Sequence, residues 1–60
     1  MTGLKLSELN SIREVVSAHL TTANKLSTYA EQVQDTQLKQ MFTQASTQAK
    51  QSAQNLIQML

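Results

Sequence analysis

Apolar residues recur along the first half of the chain at intervals of three and four residues. This spacing predicts a packed α-helix, because residues three and four apart lie on one side of a helix. Val15, Leu20 and Tyr29 flank the row and widen it to the stripe typical of a helix bundle. Ser7 stands just before the row and is the predicted N-cap. The core-facing positions predicted for this helix are Leu9, Ile12, Val16, His19, Ala23, Leu26, Ala30 and Val33.

A second row with the same spacing occupies the other half of the chain and predicts a second helix. Met41, Ala53, Ile57 and Leu60 stand beside it. Its core-facing positions are Leu38, Phe42, Ala45, Ala49, Ser52, Leu56 and Met59.

The two rows do not join into one helical register. Val33 and Leu38 are five residues apart, so a continuous helix would place Gln37 and Gln40 on the core side instead. Asp35 lies at the break and is a good N-cap for a new helix beginning at Thr36. We therefore favour a turn over a single long helix, although the chain offers no glycine here for a left-handed C-cap.

The predicted fold is all-α: an antiparallel helical hairpin with helices at about 8–33 and 36–59. Residues 8–60 form the hairpin domain, and residues 1–7 form an N-terminal arm. Leu4 and Leu6 are two residues apart. That spacing suggests an extended arm on an apolar surface, and a disordered terminus is the alternative.

Size predicts that the hairpin associates with a second copy. A 60-residue chain buries only about 60% of its unfolded surface, and this one has no cysteine for a disulfide. Alanine opposite alanine leaves little apolar bulk at mid-length. Two hairpins would close into a homodimeric four-helix bundle with helices crossing at about 20°. The residues predicted to form the core and dimer packing are Leu9, Ile12, Val16, His19, Ala23, Leu26, Leu38, Phe42, Ala45, Ala49, Leu56 and Met59.

Charge and hydropathy argue against several partners. The net charge is +1 and the five basic residues are spread along the chain, so nucleic acid is not favoured. No apolar run approaches the roughly 20 residues of a membrane span, and the N-terminus lacks the features of a signal peptide. We expect a cytoplasmic protein with no membrane association. Outward positions are rich in Gln, Ser and Thr, which reflects either compositional drift or a surface made to pack against neighbours.

Catalytic and metal-binding patterns are not recognisable. Di-iron bundles use Glu-x-x-His pairs, whereas Glu14 and His19 are five residues apart, and the second row contains no carboxylate or histidine. We therefore predict no catalytic residues, no metal site, no cofactor and no enzymatic activity. His19 is interpreted as a half-buried imidazole bonded to Ser52 or to a partner-chain group. The alternative is a pH switch, or a metal ligand shared across a dimer axis.

The run KLSTYAEQVQDTQLKQMF resembles the spore coat protein F family of spore-forming Firmicutes. It contains the tyrosine-alanine pair Tyr29-Ala30, the acidic turn at Asp35, and the Leu38-Lys39 start of the second helix. The similarity extends over about residues 9–60. It implies a ferritin-like helical fold and a structural role in or near the spore coat, with other coat proteins as partners. His19 matches a histidine often found in the family's first helix. The second helix departs from the family, with glutamines at Gln44, Gln48 and Gln51 where histidines are common.

An RNA-binding hairpin dimer of the Rop type is the alternative function. Its binding face would carry five residues of the first helix: Asn10, Arg13, Asn24, Lys25 and Gln32. A dimer would present few positive charges, so this alternative predicts weak binding with a small salt dependence.

Overall fold

The computed structural model describes residues 5–60, which form two α-helices joined by a three-residue linker. Helix α1 spans Leu6–Gln32 and helix α2 spans Thr36–Ile57, and they pack against each other. Contacts between Ser27 and Ser46, and between Tyr29 and Phe42, show that the two helices run antiparallel. No strand occurs within the described residues. The prediction of an all-α helical hairpin is confirmed.

Helix α1 begins earlier than predicted and with a different cap. Lys5, with extended backbone angles, is the N-cap, so Ser7 lies inside the first turn. The Glu8 carboxylate accepts a hydrogen bond from the Lys5 backbone N–H at 3.2 Å. Glu8 binds an N–H group at the helix start, as the third helical residue does in a capping box. The predicted Ser7 cap is therefore wrong, and α1 begins two residues before its predicted start at about residue 8, so Leu6 belongs to α1. Leu4 lies outside the described residues.

The linker of residues 33–35 turns the chain without glycine. Val33 ends α1 in an extended conformation (φ −86°, ψ 148°) while its N–H still donates to the Tyr29 carbonyl at 3.1 Å. A negative φ is open to any residue, so this exit needs no left-handed C-cap. Asp35 caps α2 as predicted, because its carboxylate accepts from the Leu38 N–H at 2.7 Å.

Helix α2 ends two residues before its predicted end. Its last residue is Ile57, and Gln58 is the C-cap. The Met59 N–H donates to the Leu56 carbonyl at 3.0 Å, which is a three-residue turn rather than a continued α-helix. Met59 therefore extends the apolar row beyond the helix itself.

Small residues make the contact between the helices. Ala23 and Ala53 are fully buried, and Ala30 and Ser46 are nearly so. Within the described residues, no side chain larger than serine is classed as buried. The close approach of α1 and α2 therefore uses short side chains, and the larger apolar residues are left at its margins.

Candidate functional site

Ser46 joins the two helices at the centre of their contact. Its hydroxyl donates to the Ala23 backbone carbonyl of α1 at 2.9 Å. Since a hydroxyl has one proton, the 2.8 Å contact between the Ser27 and Ser46 hydroxyls has Ser27 as the donor. A serine side chain reaches only a short distance from its own backbone, so these bonds require the helices to lie close together.

Residues seven apart along a helix share one side of it, and this divides the hairpin surface into two faces. We define the apolar face by two rows on each helix. On α1 these are Val15, Thr22, Tyr29 and Ile12, His19, Leu26, Val33. On α2 and its C-terminal turn they are Leu38, Ala45, Ser52, Met59 and Phe42, Ala49, Leu56. The opposite rows, which begin at Asn10 and Arg13 on α1 and at Gln40 and Thr43 on α2, form the polar face, with Lys39 at its linker end.

Large apolar side chains of the apolar face remain open to solvent. Tyr29 is 47% exposed and Val15 43%, and Leu38 and Met59 are also exposed. Met41 stands beside this face on the outer side of α2 and is 58% exposed. Tyr29 packs on Phe42 across the helices, with ring centroids 6.0 Å apart and planes inclined by 52°. This tilted aromatic pair covers one side of Phe42 and leaves the outer side of the tyrosine ring uncovered.

A shallow groove of about 350 Å³ lies at the end of the hairpin away from the linker. Ile12, Leu56 and Met59 form its apolar lining, and Ser7, Glu8 and Ser11 form its edge. It extends the apolar face toward the start of α1.

The polar face carries a second groove, of about 320 Å³, lined mainly by polar and charged side chains. Lys39 and Lys50 of α2 and Glu31 of α1 lie along it, together with Thr43 and Thr47. Both threonine hydroxyls donate to carbonyls one turn earlier in their own helix, at 2.9 and 3.1 Å. This face also includes the exposed apolar residues Leu20 and Ile57, which lie seven residues from Ser27 and Lys50 respectively.

The residues predicted to pack lie at three levels of burial. Ala23 is fully buried, whereas Leu38 and Met59 are exposed. The remaining predicted residues are half-buried: Leu9, Ile12, Val16, His19, Leu26, Phe42, Ala45, Ala49 and Leu56. Nearly all of them border the contact between the helices, and their part in dimer packing stays a prediction.

The sequence pattern did not single out Ser46 or give Ala53 its central place. Both belong to a seven-residue row that runs beside the row of Leu38, Ala45 and Ser52. The row that begins at Leu38 has the larger apolar side chains, so the sequence favours it as the core. Helix α1 instead packs on the row of Ser46 and Ala53, whose side chains are smaller. The sequence did contain one signal for this contact. Ser46 and Ala53 are both small and lie seven residues apart, where they can face Ala23 of the other helix.

His19 is half-buried where the helix contact meets the apolar face. The predicted hydrogen bond to Ser52 does not form within residues 5–60, and a bond to a partner-chain group stays a prediction. The described part of the chain contains no group of three His, Cys, Asp or Glu side chains that could hold a metal ion.

The residues of the RNA-binding alternative do not share one surface. Arg13 and Lys25 are twelve residues apart on α1, which separates them by about 120° around the helix. Arg13 lies on the polar face with Asn24, whereas Lys25 and Gln32 lie on the side of α1 away from α2. A flat nucleic-acid surface could not contact both cations of one hairpin together.

Neither helix of the described chain has a stretch long and apolar enough to cross a membrane. Comparisons of the chain with protein-family models, with curated proteins and with solved structures found no match.

Proposed function

We propose that this protein is a non-enzymatic structural component that dimerises into a four-helix bundle and packs into a larger assembly, in the manner of coat F-type proteins. One observation carries the proposal: the side chains buried within the described hairpin belong only to alanine and serine. Such a hairpin has a contact between helices but little apolar core of its own.

Energetics favour covering the remaining apolar surface. Full burial of a leucine, valine or methionine side chain contributes about 1.5–3 kcal/mol. In the single hairpin Met59, Leu38 and Val15 keep much of their surface in water. A second hairpin laid on them would gain this energy without disulfides or metals, and two antiparallel hairpins form a four-helix bundle.

The polar side chains fit a structural role. Ser11, Thr28, Thr43 and Thr47 donate their hydroxyl protons to carbonyls of their own helix. Outward positions of α2 are mostly glutamine, threonine and serine, with few charges. Away from the basic residues of the polar groove, this low charge limits repulsion between neighbouring bundles, which supports assembly into a layer.

Immunogold labelling of cells of the source organism tests the proposed role. If the source forms spores, we expect label during sporulation only, concentrated on the spore coat. Diffuse label in growing cells would contradict the coat role.

Purification of the untagged protein separates the alternatives. A structural component is expected to elute without nucleic acid or stoichiometric metal. Saturable binding of structured RNA at low salt, abolished by Arg13→Ala together with Lys25→Ala, would favour the Rop-type function instead.

A further inference from the structure

The apolar and polar faces differ sharply in charge. From Val15 to Met59, the rows of the apolar face contain no Asp, Glu, Lys or Arg, and the charges of these rows within the described residues are Lys5 and Glu8, of opposite sign, at the start of α1. The polar face carries Arg13, Lys39 and Lys50 against a single carboxylate, Glu31. One side of the hairpin is therefore neutral and the other has an excess of positive charge.

This difference matters for self-association, because a two-fold dimer brings the same surface of both copies together. The polar face of each copy carries three cations and one anion, so its net charge is positive. Joining two polar faces would bring these two positive surfaces together, and they would repel each other. Joining two apolar faces brings Val15, Tyr29 and Leu38 of each copy together, and the charges of these rows lie only at the start of α1.

The apolar face is also large enough for a stable dimer. The shorter helix, α2, has 22 residues and is therefore about 33 Å long. Two adjacent helices are about 20 Å wide, which gives about 650 Å² in projection. Stable interfaces bury roughly 600–1,000 Å² per partner, so this face is of the required size.

We propose that a second copy of this chain docks on the apolar face, which leaves the lysine-lined groove of the polar face open to solvent in the dimer. This inference rests on the proposed homodimer and assigns the surface that forms it. Thr22 lies within the interface, while Thr47 lies outside it.

Thiol protection tests the assignment, since the natural chain has no cysteine. Thr22→Cys and Thr47→Cys are matched variants: both replace a threonine that is exposed in the single hairpin, one on each face. The reaction is measured at a concentration where light scattering shows about nine-tenths dimer. There the thiol at position 22 should react with a maleimide about tenfold more slowly than in urea-unfolded protein. The unfolded rate is corrected for urea's effect on a model thiol. The thiol at position 47 should show no such protection.

Charge insertion gives an independent readout. Thr22→Glu and Thr47→Glu add the same charge at exposed helical positions inside and outside the proposed interface. We expect the first to raise the dimer dissociation constant at least about tenfold and the second to leave it nearly unchanged, with helicity followed by circular dichroism.

The outcomes separate this inference from the proposed function. A dimer in which position 47 is protected and position 22 reacts freely would overturn the assigned face and leave the homodimer intact. Equal effects of the two glutamate variants on an intact dimer would do the same. A wild-type chain that stays monomeric would overturn both.

Discussion

Ser46 illustrates how one short side chain sets the geometry of the hairpin. It is 3% exposed, and its hydroxyl bonds both Ala23 and Ser27 of the facing helix. A side chain larger than serine would hold the helices apart at this point. The sequence pattern identified Ala23 as core but not Ser46, because polarity alone places a serine outside. Its burial depends on which of two neighbouring rows faces α1, and apolar periodicity does not distinguish them.

Replacement of Ser46 should therefore destabilise the protein, by lost hydrogen bonds in a smaller residue and by overpacking in a larger one. We expect Ser46→Ala to lower the free energy of unfolding by about 1 kcal/mol through lost hydrogen bonds. Ser46→Val should cost about 1–3 kcal/mol, because overpacking separates the helices. Urea titrations at one fixed protein concentration measure both values. The control is Ser17→Val, the same change at an exposed helical position. A Ser46→Val protein as stable as its control would contradict the close contact.

At the scale of the helices and linker, the sequence predicted the turn because both its signals are local. The break in spacing after Val33 and the capping carboxylate of Asp35 can be recognised without tertiary structure. The start of α1 was harder to predict, because Ser7 is a good cap by residue type and yet lies within the first turn. Glu8 bonds the Lys5 N–H instead, and this pairing depends on backbone angles that residue type does not fix.

Loss of the Asp35 cap should weaken α2 at its first turn. We expect Asp35→Ala to reduce the free energy of unfolding by about 1 kcal/mol, since the Leu38 N–H loses its acceptor. Asp35→Asn keeps an acceptor oxygen and should cost less. Urea unfolding of both variants, with Gln34→Ala as a linker control, measures the order. Equal stability of the alanine variant and the control would show that the cap contributes little.

At the scale of the whole molecule, an alanine-and-serine contact explains why larger residues such as Met41 and Tyr29 stay exposed in the single hairpin. Periodicity identified the amphipathic helices, because it depends on residue order alone. It did not separate residues that hold α1 on α2 from residues available to a partner, since both occupy adjacent rows. Only the packed structure distinguishes the two sets.

Thermal stability should then depend on protein concentration. If folding and dimerisation are coupled, a hundredfold rise in concentration stabilises the dimer by about 2.7 kcal/mol. For two 60-residue chains this corresponds to an increase in Tm of about 10 °C. Circular dichroism melts at the two ends of the range measure the shift. A Tm independent of concentration would argue for a hairpin that folds alone.

The molar mass in solution, measured by light scattering over a hundredfold concentration range, tests the central claim most directly. We predict twice the mass of one chain through most of the range, with larger species appearing at the highest concentrations if bundles pack further. A helical protein with the mass of a single chain at every concentration would contradict the account, because the hairpin would then be stable with its apolar face in water.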